Sequence, residues 1–121
     1  MTGVLVCDDA PDMRALLRDA LDADPALEVV GEAGDGSDAL RLAAALQPDV
    51  VLLDIGMPGP DAADVIAGVR RAAPGTAIVV LSGYGPERLA SGIADEVVAH
   101  LPKTTDLAAV RRTLLAAAAG G

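Results

Sequence analysis

Five polar residues stand where apolar runs stop: Asp8 and Asp9 after residues 4–7, Asp54 after residues 50–53, Ser82 after residues 77–81, and Lys103 one place beyond residues 97–101 and Pro102. Alone, each has an ordinary reading as a strand end, a turn hydroxyl or a solvated cation. Brought to one place, three carboxylates, a hydroxyl and an ammonium make a different object. Carboxylates a few ångström apart raise one another's pKa unless a cation compensates them. Oxygen-only ligands in an open site that keeps waters suit a hard divalent ion, Mg²⁺ before zinc. The single histidine, His100, and the single cysteine, Cys7, cannot make a zinc site. Asp54 is the expected reactive centre, because Gly56, Pro58 and Gly59 turn the chain straight after it and leave its carboxylate facing a crevice.

The elements that must position these groups follow from the pattern. The runs at 4–7, 50–53 and 77–81 lack polar alternation and predict strands covered on both faces. Residues 27–33, interrupted by Glu28 and Glu32, predict a polar edge strand, and residues 97–101 a fifth strand. Between them lie helical patterns. Met13, Leu16, Leu17, Ala20 and Leu21 share one face after Pro11, with Arg14 and Arg18 opposite; Ala39, Leu42, Ala43 and Leu46 follow Ser37 as a cap. Ala62, Val65, Ile66 and Val69 follow Asp61, a short helix containing Leu89 and Ile93 starts at Pro86, and Leu107, Val110, Leu114 and Leu115 follow a cap at Thr104 or Thr105. Strands alternating with helices imply an α/β fold, a doubly wound five-stranded parallel sheet with helices on both faces. Because the second strand ends in no comparable polar group, it belongs at an edge. Order 2-1-3-4-5 then makes the polar ends of strands one, three, four and five neighbours at the ligand-binding edge of such sheets.

Composition narrows the function. The 121 residues fit one domain, and 52% hydrophobic residues supply an ample core built from Val, Leu, Ile and Ala, since Phe and Trp are absent and Tyr84 is the sole aromatic residue. A formal charge of −9 without a basic cluster argues against direct nucleic-acid binding. One cysteine allows no internal disulfide, and no apolar stretch approaches a membrane span or a signal core, so a cytoplasmic protein without membrane contact is expected.

From Val4 to about Leu115 the chain resembles the receiver domain of bacterial two-component response regulators. The matching residues are Asp8-Asp9, the segment from Asp54 through Ile55, Gly56, Met57 and Pro58 to Gly59, Ser82-Gly83 and Lys103, in the family's order and spacing. The resemblance implies a flavodoxin-like fold, residues 1–118 as the receiver and 119–121 as a frayed tail or the start of a linker. It also implies that Asp54 accepts a phosphoryl group from a phosphohistidine on a sensor histidine kinase or phosphotransfer protein. Asp8, Asp9, Asp54 and the Gly56 carbonyl would hold Mg²⁺, Lys103 would pair with a phosphoryl oxygen, and Ser82 would donate to another. His100 stands where the family carries a Tyr or Phe that changes rotamer when Ser82 engages phosphate; a half-buried packing role is its alternative. Tyr84, at the mouth of the site, and Gly56 occupy positions that tune phosphate lifetime, and a bulky Tyr84 predicts a long-lived phosphoform. The domain is expected to accept phosphate on itself, not to turn over a substrate, and to form a phosphorylation-dependent homodimer.

Ala62 replaces a common Gly, Pro60 stiffens the loop before it, and Thr104 stands where Pro often follows the lysine. The Lys-Thr pair resembles the subfamily with a helix-turn-helix output domain and a role in transcription regulation. Gly120-Gly121 reads as the beginning of a linker, which favours the excised half of a DNA-binding regulator over a chain complete in itself. Two other classes are the alternatives. A haloacid-dehalogenase-like phosphatase resembles an Asp-x-Asp signature, whereas Asp8 and Asp9 are adjacent. A phosphorylation-independent flavodoxin-like binding module needs a hydroxyl- and Gly-rich first loop, which the chain lacks.

Overall fold

The computed structural model describes residues 1–83 and 96–120. The apolar runs form the centre of a parallel sheet: β1 (Thr2–Cys7), β3 (Val50–Leu53) and β4 (Ala77–Ser82), flanked by β2 (Leu27–Ala33) and β5 (Ala99–Pro102). Strand order is β2-β1-β3-β4-β5, as the polar strand ends required. Four described helices cross between or follow the strands: α1 (Pro11–Asp22), α2 (Gly36–Leu46), α3 (Ala62–Ala72) and α4 (Leu107–Gly120). The helix expected to start at Pro86, with Leu89 and Ile93, lies outside the described residues, as does Tyr84.

Side chains alternate across the pleat, so each central strand feeds two cores. Val4, Val6, Val50, Leu52, Val79 and Leu81 face Leu17 and Leu21 of α1 and Val110 and Leu114 of α4. Leu5, Cys7, Val51, Leu53, Ile78 and Val80 face Ala39 and Ala43 of α2 and Val65, Ile66 and Val69 of α3. Small residues let α2 and α3 lie close. A Cβ on Gly68 would overlap the Leu40 side chain, so this glycine leaves the room that Leu40 of α2 fills against α3. None of the described helices is long and apolar enough to cross a membrane.

Register sets the strand ends. Cys7 pairs with Leu53, Leu53 with Val80, and Val80 with His100. On the other side of β1 the pairing slips between Val4 and Leu5, a bulge that skips Val30 and leaves it exposed at the edge.

Several local expectations are corrected. The cap of α2 is Asp35, whose carboxylate accepts from the Asp38 amide at 2.8 Å, and not Ser37, because Gly36 already has helical geometry. At α4 the Asp106 carboxylate accepts from the Ala109 amide at 2.8 Å, ahead of Thr104 and Thr105. Asp61 occupies the N-cap position of α3 without a side-chain hydrogen bond. Leu16 and Leu46 lie at the margins of their apolar stripes and are 51% and 41% exposed. β5 begins two residues later than expected, with Val98 exposed. The Ala-rich end at 116–119, whose sequence suggests fraying, is instead helical: alanine's high helix propensity carries α4 through it, and Ala117 packs into the first core.

Asp35→Ala removes one capping acceptor and is expected to lower unfolding free energy by about 1 kcal/mol. Urea denaturation of the two chains, read by far-ultraviolet circular dichroism, checks this.

Candidate functional site

The parallel ladder runs one bond past the paired strand ends: the Asp54 amide donates to the Cys7 carbonyl at 2.9 Å, and the Asp8 amide to the Ala33 carbonyl at 3.0 Å. Asp8 and Asp54 therefore stand side by side at the carboxyl edge of β1 and β3. Both are nearly inaccessible, 1% and 7% exposed, while Asp9 is open to solvent. One carboxylate oxygen from each of Asp8, Asp9 and Asp54 falls within 4.8 Å of the others.

Each buried carboxylate divides its oxygens between a local turn and a distant cation. Asp8 Oδ1 accepts from the Ala10 amide at 2.9 Å, and Asp54 Oδ1 from the Gly56 amide at 2.9 Å. The Lys103 ammonium donates to Asp8 Oδ2 at 3.0 Å and to Asp54 Oδ2 at 3.2 Å. Its backbone amide donates to the Ser82 carbonyl at 3.0 Å, which fixes where the side chain starts from at the end of β5. Partial burial pulls the Lys103 pKa down, but hydrogen bonds and charge from Asp8 and Asp54 outweigh it and hold the group above its ordinary value of 10.5. Burial, with Asp8 adding to it, pushes the Cys7 thiol up to about 12; this thiol is core packing and not a nucleophile.

Three formal negative charges against one ammonium leave an excess that a divalent cation complements, and the donors are all hard oxygens. The acidic cluster therefore fits Mg²⁺ by charge and ligand type. Ser82 is fully buried at the end of β4, paired with Pro102. His100 is half-buried opposite Val80, and its Nε2 is buried with no hydrogen-bond partner among the described residues. Gly56 is exposed in the turn after Asp54.

Two supports were not anticipated from the sequence. Arg14, placed by helical periodicity on the solvent side of α1, turns back so that Nη1 donates to the Asp8 carbonyl at 2.7 Å while Nε pairs with Glu32 of β2 at 3.5 Å. Its guanidinium also passes 3.0 Å from where a Cβ of Gly34 would stand. The other support is Gly36, whose amide donates to the Pro58 carbonyl at 3.1 Å. The acidic position six residues before Arg14 and the Gly-Asp-Gly turn at 34–36 were the only signals for them.

Because the folded pKa of Lys103 exceeds its unfolded value, the stability from its pairing is complete below about pH 10 and is lost as pH rises through the folded value. Wild-type chain is expected to exceed Lys103→Met in unfolding free energy by on the order of 1–2 kcal/mol, a buried-pair effect reduced by partial solvent access. Urea titrations from pH 7 to 11.5 should find that gap constant to about pH 9.5 and shrinking above.

The family described as response regulator receiver domain matches residues 4–115. The transcriptional regulatory protein LiaR of Bacillus subtilis is 35% identical over 121 residues, covering 99% of this chain and 57% of LiaR. A protein-glutamate methylesterase/protein-glutamine glutaminase of Myxococcus xanthus is 44% identical over 77 residues, 64% of this chain and 22% of that protein. The chain thus spans only part of the length of these curated relatives. Among solved structures, the signal receiver domain of NarL from Mycobacterium tuberculosis superposes with a TM-score of 0.90 at 34% identity, covering 99% of this chain and 98% of that one.

Proposed function

Since this chain belongs to the response regulator receiver domain family of two-component signalling, we propose that Asp54 is its phosphoacceptor and that Asp8, Asp9 and the Gly56 carbonyl complete a Mg²⁺ site with it. The observation that carries this reading is the meeting of the three carboxylates within 4.8 Å, with Lys103 bridging two of them. A bound Mg²⁺ would supply neutralisation of charge on the phosphoryl oxygens.

The donor is a phosphohistidine on a sensor kinase or phosphotransfer protein. An Asp54 oxygen forms the new bond to phosphorus as the phosphorus–nitrogen bond breaks, and the electron pair returns to the imidazole. Lys103, already within hydrogen-bond reach of Asp54, is placed to follow the charge from the carboxylate to a phosphoryl oxygen. Ser82, one strand away and bonded through its carbonyl to the Lys103 amide, supplies the hydroxyl that senses the phosphoryl group, and His100 on β5 responds to it. The domain consumes one phosphoryl group on its own side chain and does not turn over an external substrate.

The output reading is a cytoplasmic regulator of transcription that acts through an attached domain and dimerises on phosphorylation. The match to LiaR over nearly the whole of this chain supports it. A long-lived phosphoform is part of this reading, with Tyr84, two positions beyond Ser82 in the sequence, as the residue the family resemblance assigns to it.

Intact mass after incubation with acetyl phosphate is expected to rise by one phosphoryl group in the presence of Mg²⁺. Omission of Mg²⁺, or Asp54→Ala, should abolish the adduct. A folded wild-type chain that acquires no adduct and binds no beryllofluoride overturns the reading.

A further inference from the structure

The turn that follows Asp54 is held from outside by a residue with no side chain. Gly36, the first residue of α2, is buried, and its amide donates to the Pro58 carbonyl at 3.1 Å. A Cβ built on it would lie 2.9 Å from Val65 Cγ2, 3.1 Å from Pro60 Cδ and 3.4 Å from the Pro60 carbonyl. None of these can yield easily. Val65 is 2% exposed in the second core and stiff at χ1, and a proline ring moves only with its backbone. Gly59 completes the contact from the other side. It adopts φ +99°, a conformation that favours glycine, and a Cβ on it would face the Gly36 amide at 3.5 Å.

We infer that Gly36 is a positioning residue for the acidic site: its bare Cα lets the loop at 56–60 seat against α2, and that seating aims Gly56 at Asp54. The chain of contacts is short. Gly36 holds Pro58, two residues from Gly56, whose amide holds Asp54 Oδ1 at 2.9 Å. A methyl group at 36 must push Pro60 outward, and the turn carrying Gly56 follows. The inference rests on the reading of Asp54 and Gly56 as part of the metal and phosphoacceptor site.

The test compares the wild-type chain with Gly36→Ala, with Gly36→Ala/Val65→Ala, and with Gly68→Ala. The last crowds Leu40 at the α2–α3 contact and disturbs packing without touching the loop. Mg²⁺ affinity is measured by calorimetry, and the Gly56 amide is followed by nitrogen–proton correlation spectra in the metal-free protein. Gly36→Ala is expected to weaken Mg²⁺ binding roughly tenfold, as loss of a group supporting a metal ligand does, and to shift the Gly56 resonance before any metal is added. Removing the Val65 methyls should recover most of both effects. Gly68→Ala should leave Mg²⁺ affinity within about twofold of wild type and the Gly56 resonance in place, since a packing change away from the ligands leaves their geometry alone. An unchanged Gly56 resonance and unchanged affinity in folded Gly36→Ala, or in the double variant should the single one not fold, would overturn the inference. A wild-type chain that binds no Mg²⁺ while Gly56 still shifts in Gly36→Ala would instead remove the metal site and leave the positioning contact standing.

Discussion

The constraint on which the site depends is the parallel register that sets Cys7 opposite Leu53 and lets the Asp54 amide reach the Cys7 carbonyl. A slip of one residue would turn every side chain of β3 to the opposite face, trading Leu53 for Leu52 in the second core. That slip is costly because it carries a flanking carboxylate, Asp49 or Asp54, into the place of buried Val50 or Leu53. The hydrophobic effect therefore fixes the distance between two carboxylates that would otherwise repel each other. The apolar runs do not form the site, but they leave its charged residues nowhere else to stand.

Electrostatics then completes what packing starts. Asp8 and Asp54 are too deeply placed to be stabilised by water, and each is held by a backbone amide from its own turn and by the shared ammonium of Lys103. Lys103 can do this because its own amide is tied to Ser82 at the end of β4. Strands one and three thus deliver the carboxylates of a single crevice, β5 delivers the ammonium and β4 anchors it, while β2 contributes Glu32, which steadies Arg14 behind the Asp8 carbonyl.

Much of this was legible from residue order alone, for a physical reason. Uninterrupted Val and Leu runs have one reasonable fate in a chain of this size, and the contrast between them and the glutamate-broken segment at 27–33 was enough to put β2 at the edge. The caps were less legible, since Asp35 and Ser37, or Asp106 and Thr105, offer the same chemistry one or two places apart. Arg14 was misplaced because periodicity describes where a Cβ points, not where a long side chain ends. The role inferred for Gly36 had the Gly-Asp-Gly turn as its only local sign, being a steric relation between α2 and a loop more than twenty residues further along.

The bridge made by Lys103 also means that the crevice is closed by its own counter-ion. A cation that takes Asp8 Oδ2 or Asp54 Oδ2 competes with hydrogen bonds of 3.0 and 3.2 Å, so its affinity is a difference between two coordination states of the same oxygens. Linkage makes the exchange reciprocal: whatever releases the ammonium from the carboxylates weakens the anchor of β5 by the same free energy with which that anchor opposed it. The edge strand of the sheet and the chemistry at its centre share one equilibrium.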